Sequence, residues 1–207
     1  IFMKNNNEIE FARFCFENKH YDKAKELFLN NDMLYEAGFS SLLTGNLNSA
    51  KLIWKEIKDP CPAVDWGLII LDVIEGKPYT KAPKYFQTRA FLEVYLNLFL
   101  ENEFYDWADN IINAYKFFTR SNNEVPKFIA RVLSFYGYWN LVHEFSTLAK
   151  RICYYDPEIH FIEAESYLIE ENYKLAYEGI IEGIKIAPNY YPNKKLLNMI
   201  KAAGYKE

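Results

Sequence analysis

His160 and Glu163 stand one helical turn apart, a spacing that would suit half of a metal site. No second histidine–carboxylate pair accompanies them, and the other two histidines, His20 and His143, are scattered. Glu163, Glu165, Glu170 and Glu171 crowd one short stretch and invite general acid–base chemistry. Nothing nearby supplies a nucleophile or a phosphate loop, so most of these carboxylates are expected to face water. Gly-x-Ser-x-Gly, the P-loop and the dinucleotide fingerprint are all missing. The three cysteines, Cys15, Cys61 and Cys153, lie far apart, form no CxxC or Cys/His cluster, and are odd in number. They read as reduced thiols of a cytoplasmic protein. The cations best suited to a ligand are Arg13 and Arg131, with Lys127 one turn before the latter. They would hold a carboxylate by charge-assisted hydrogen bonds; the alternative is that they are solvated or paired with neighbouring glutamates. The expected chemistry is recognition, with no catalytic group, no metal and no cofactor.

The elements that must position these residues are helical. Residues 157–188 read as two amphipathic helices joined at Glu171–Asn172. Asp156 caps the first and Pro157 fits its first position, while Pro188 stops the second for want of an amide proton. Aromatic residues Tyr105, Trp139 and Tyr173 recur at an interval of 34, and so do the small residues Ala108, Val142 and Ala176. Ala130 and Ala164 share that interval. Such a pair cannot bury its apolar surface alone, so the pairs are expected to stack.

Of the 207 residues, half are hydrophobic and 18% aromatic, which marks a folded chain, and 8 Gly with 8 Pro are too few for a loop-rich β protein. The formal net charge of −4 argues against a general electrostatic grip on nucleic acid or anionic lipid. No apolar run reaches the roughly 18 residues of a membrane span. The chain opens IFMKNNNE with no signal-peptide pattern, and its start at Ile1 fits a processed chain, a tag remnant or a fragment of something longer.

Along the chain, helices are predicted over 8–18 and 22–30, then a pair after Asp32 turning at Thr44–Asn46 and ending at Asp59-Pro60-Cys61-Pro62. A helix over 63–75 has no partner before the breaker-rich segment 76–83. The single domain 1–207 is thus expected to divide into sub-blocks 1–75 and 84–207. Helices 84–101 and 105–118 follow, then 124–136 behind a Ser121-x-x-Glu124 capping box, 139–152, the final pair, and a capping helix over 193–203.

These residues resemble the tetratricopeptide repeat (TPR) family, whose pattern runs W-x2-L-G-x2-Y, A-x3-F, P. Residues 31–64 carry Leu34, Ala37-Gly38, Ala50-x3-Trp54 and Pro62; residues 157–190 carry Ala164, Tyr167, Tyr173, Ala176-x3-Ile180 and Pro188. The resemblance covers most of the chain outside 65–88, with Val142-x3-Ser146 departing most from the pattern. It implies an all-α fold, a right-handed α-solenoid of about five TPR-like helix hairpins with a C-terminal capping helix. It also implies a concave groove lined by the first helix of each pair, which holds a peptide or helix of a partner protein. Carried over by position, Arg13, Tyr35, Phe39, Asn97, Lys127, Arg131, Phe135 and Phe161 face that groove, with Ile9, Phe16, Leu42, Glu93, Glu165 and Leu168 beside them. Tyr35, Phe39, Phe135 and Phe161 are then either aromatic anchors for the partner or packing between adjacent repeats. The clamp with which some members hold a C-terminal carboxylate is absent, since Ile9, Arg13 and Glu36 occupy the corresponding positions. The function expected is a protein-binding scaffold, monomeric or weakly self-associating. The alternative is an assembly module that stacks on itself or on further repeats, without a groove function.

Overall fold

The computed structural model describes residues 2–78 and 81–205, so Tyr79 and Thr80 of the breaker-rich segment lie outside the described residues. The described residues form thirteen α-helices and no strand. They gather into two compact units, Ile1–Pro83 and Lys84–Glu207. The first holds α1 (Phe2–Glu17), α2 (Tyr21–Asn30), α3 (Leu34–Leu43), α4 (Leu47–Lys55) and α5 (Pro62–Ile74). The second holds α6 (Tyr85–Glu101), α7 (Tyr105–Asn113), α8 (Tyr115–Thr119), α9 (Val125–Phe135) and α10 (Trp139–Cys153). It ends with α11 (Pro157–Ile169), α12 (Tyr173–Ile186) and α13 (Tyr191–Ala202).

One turn closes the first helix of every pair. Two residues past the helix, the backbone enters the left-handed region at Lys19, Gly45, Glu103, Gly137 and Glu171. The following amide then reaches back five residues: Phe104 N donates to Phe99 O at 2.8 Å, Tyr138 N to Leu133 O at 3.1 Å, and Asn172 N to Tyr167 O at 2.8 Å. This is the Schellman closure, which satisfies carbonyls that a helix end would leave bare. The next residue but one starts the second helix, which is why Tyr21, Tyr105, Trp139 and Tyr173 all stand at a helix start. Helix α5 ends in the same turn, with Gly76 left-handed and Lys77 N donating to Asp72 O at 2.9 Å, and the next helix among the described residues starts at Tyr85.

Small residues, those at the 34-residue interval among them, are where helices meet. Ala12, Ala24, Ala37, Ala50, Ala164 and Ala176 are wholly buried, and so is Val142. In the first unit, successive helices α1 to α5 pack in chain order. Trp54 fills the space that two glycines leave for it, Gly38 on α3 and Gly67 on α5, and its Nε1 donates to Tyr35 O at 3.0 Å. A Cβ on either glycine would come within 3 Å of the indole, so this contact needs glycine on both sides.

Several predicted details differ. Helix α1 runs from Phe2, not residue 8, because three asparagines weaken a helix by only about 0.7 kcal/mol each. Asp32 takes the left-handed position of the turn before α3, φ 56°, and Met33 is the residue that caps the helix start. The predicted helix 105–118 breaks at Ala114, which lets α8 turn Phe117 and Phe118 into the core against α9. Helix α9 starts at Val125 with Glu124, not Ser121, as its cap residue, and Asn122 Oδ1 accepts from Glu124 N at 2.9 Å. Asp156 does cap α11, accepting from Glu158 N at 3.0 Å. The C-terminal helix starts at Tyr191, with Leu196 and Ile200 buried against the preceding pair and Lys194, Lys195 and Lys201 outward.

At that junction Gly183 lets α12 approach both α11 and α13; a Cβ there would stand 2.9 Å from His160 Cβ and 2.6 Å from Asn193 Nδ2. His160 is buried, and its Nε2 lies 2.8 Å from Tyr154 O, so that nitrogen carries the proton. Burial holds the imidazole below its ordinary pKa, and the Lys150 ammonium adds to this; the Tyr154 carbonyl offsets part of it. The fold therefore holds the neutral ring. Stability tied to it is present above the ordinary value of 6.5 and is lost as pH falls from there toward the depressed folded value. Denaturation midpoints at stepped pH should fall less on acidification in His160→Gln, which keeps a donor to Tyr154 O, than in the unaltered chain. Equal slopes would refute the assignment.

Candidate functional site

In the second unit the first helices α6, α9 and α11 lie side by side in chain order, with α13 beside α11. The second helices α7, α10 and α12 each pack on their own partner. Across the first-helix side opens a hollow of about 750 Å³. Helix α6 contributes Glu93 and Asn97, α9 contributes Arg131, Val132, Ser134 and Phe135, and α11 contributes Glu158, Phe161, Ile162, Glu165 and Ile169. Trp139, Tyr190 and Pro192 complete the wall.

Arg131 ties three helices together. Its Nε and Nη2 donate to the two oxygens of Glu158 at 2.7 and 2.6 Å, a bidentate fork, while Nη1 donates to Glu93 at 2.6 Å. Burial penalises the guanidinium, yet the hydrogen bonds and charges of these glutamates outweigh it and raise its pKa. Lys127, one turn earlier, is buried and donates to Asp156 at 2.7 Å, with Glu124 and Glu158 within 4 Å. Burial opposes its charge too, and again the Asp156 hydrogen bond and the three carboxylates win, so its pKa is raised. Both cations are thus partnered by carboxylates of this chain, and Lys127 does not line the hollow.

The other predicted residues are divided between the units. Phe135 is 82% exposed at the rim, Phe161 is half-buried in the wall, and Asn97 lines the α6 side, its Nδ2 donating to Glu93 O at 2.9 Å. Arg13, Tyr35 and Phe39 belong to the first unit. Tyr35 stacks between Phe39 and Trp54, and Phe39 stacks on Phe16. Exposed Arg13 makes no ion pair among the described residues and borders a separate hollow of about 160 Å³ with Phe16, Glu36 and Phe39. Three of the eight thus lie in the first unit and five, Asn97, Lys127, Arg131, Phe135 and Phe161, in the second.

The glutamate cluster of α11 also departs from expectation. Glu163 is buried and hydrogen-bonded to Lys150, and Glu165 is half-buried in the hollow wall, so neither faces open water. Glu170 accepts from His143 Nε2 at 2.7 Å, and Ser166 Oγ lies 3.4 Å from His143 Nδ1. These are the residue types of an acyl-transfer triad, which sequence reasoning missed because Ser166 and His143 lie on different helices. The arrangement does not make a nucleophile. Ser166 is wholly buried and its hydroxyl donates to Glu163 O at 2.7 Å, so no substrate carbonyl reaches it. Among the described residues no cluster of three or more His, Cys, Asp or Glu side chains is placed to hold a metal ion, and no helix is long and apolar enough to cross a membrane.

The helix pairs are TPR-like. Ordered first helices, a second helix packed on each, and one turn recurring at 34 residues from Glu103 to Gly137 to Glu171 are the features that carry this. The sequence matches no family model and no curated protein. Among solved structures, it is similar to the C-terminal part of a TPR repeat-containing protein from Cytophaga hutchinsonii, at 14% identity and a TM-score of 0.49. That alignment covers 94% of this chain and 70% of the other. It is also similar to a chain of the APC/C hetero-tetramer Cut9–Hcn1, at 14% identity and a TM-score of 0.41, over 95% of this chain and 36% of the other. At these TM-scores the architecture rests on the packing of this chain itself.

Proposed function

We propose that this chain is a protein-interaction scaffold and that the hollow of its second unit receives an extended segment or helix of a partner protein. The observation that supports this reading is an open, part-apolar hollow with Phe135 standing 82% exposed at its rim and Phe161 in its wall. Exposed aromatic side chains beside a concave surface supply the large contact areas that dominate recognition. The floor is pre-organised, because the Arg131 fork locks α6, α9 and α11 in register before any guest arrives. The reading is one of binding, not of catalysis.

A displayed library of random 12-residue peptides, panned against the full chain, tests it. Selected peptides should bind roughly 30-fold more weakly to Phe161→Ala, the loss expected of a hot-spot residue. Phe135→Asp, which touches no core, should weaken them too while circular dichroism stays unchanged. Peptides retained by both variants, or a library that yields none, would overturn the proposal.

A further inference from the structure

We propose that the guest presents a cationic side chain, arginine or lysine next to an apolar residue, and that Glu165 receives it. The inference rests on the hollow being where the guest lies. Phe161, Glu165 and Ile169 follow one another at single-turn intervals along α11, and all three line the hollow. A carboxylate is therefore set between two apolar side chains, and Ile169 is half-exposed. Among the described residues Glu165 has no hydrogen bond and no ion pair. Burial raises its pKa, and the one charge that offsets this is the ammonium of Lys195 on α13. Every other carboxylate of the wall is answered from within the chain, since Glu93 and Glu158 both hold Arg131.

The charge count points the same way. Three carboxylates, Glu93, Glu158 and Glu165, face the hollow against one guanidinium, and three of its five N–H groups are already given to Glu93 and Glu158. An anionic guest would meet a guanidinium whose charge two carboxylates already balance, and would then lie against Glu165. A cation meets neither obstacle: it supplies the partner that a half-buried carboxylate lacks, while its apolar neighbour lies on Phe161 and Phe135.

The peptides selected on the full chain decide the matter, synthesised with a fluorophore and titrated by fluorescence polarisation. Enrichment of arginine or lysine within two positions of a large apolar residue is expected, with binding roughly tenfold weaker to Glu165→Gln. That substitution keeps the shape of the side chain and breaks no bond within the fold. Replacing the peptide's basic residue by norleucine should cost the same factor, with no further loss against Glu165→Gln. Peptides that depend on Phe161 but show no basic enrichment, and bind Glu165→Gln unchanged, would overturn the cation and leave the hollow standing. Peptides indifferent to Phe161→Ala, or none selected at all, would overturn both.

Discussion

Trp54→Ala destabilises the first unit by about 3–5 kcal/mol, the range for emptying a buried large aromatic site. The indole is 1% exposed and lies between two backbones that carry no Cβ toward it, those of Gly38 and Gly67. Neither neighbour has a side chain that could swing into the vacated volume, so relaxation is small and the cavity term stays large. The Nε1 donor to Tyr35 O is lost as well. Trp54→Phe separates the two parts: it keeps much of the ring and loses the hydrogen bond, for a cost nearer about 1 kcal/mol. Urea unfolding, with hydrogen exchange read on α3, α4 and α5, measures both. A Trp54→Ala cost near that of the phenylalanine variant would show that the glycine-flanked seat collapses freely.

Phe99→Ala should cost the second unit a similar amount, about 3–5 kcal/mol. Phe99 is wholly buried and meets three rings: Tyr95 at 5.9 Å, Phe104 at 6.4 Å and Trp107 at 5.3 Å, each edge-on. It also occupies a particular place in the turn. Its carbonyl accepts from Phe104 N at 2.8 Å, so Phe99 and Phe104 form the apolar contact that accompanies a Schellman closure. Truncation leaves that backbone bond intact, and the loss is therefore one of packing. Exchange protection at Phe104 N should fall together with that of the α6 amides, and Trp107 emission should shift to the red. An unshifted Trp107 with full stability would mean that the rings pack without Phe99.

Much of the helical order was legible in the residues themselves. The final pair starts at Pro157 and Tyr173 as read, and Asp156 caps it, because these signals act within one turn of chain. The alanines at the 34-residue interval are buried because a periodic backbone puts the same position at the same helix contact. Short-range signals failed where a longer-range contact outweighed them. The helix predicted over 105–118 bends at Ala114 because Phe117 and Phe118 find the core against α9, and α9 starts after Glu124, past Ser121.

The candidate site was less legible. Spacing put Arg131 and Lys127 on first helices and weighed ligand binding against pairing with glutamates. Their partners Glu93, Asp156 and Glu158 lie 27 to 38 residues away on α6 and at the start of α11, at distances that no local pattern encodes. Glu163 and Glu165 are two residues apart and look alike in the sequence, yet one is hydrogen-bonded to Lys150 and the other feels only the charge of Lys195. Helical period and turn chemistry, being properties of neighbouring residues, were written in the chain. Which charge is answered and which is left facing the hollow depends on how separate hairpins cross, and only their packing against one another decided that.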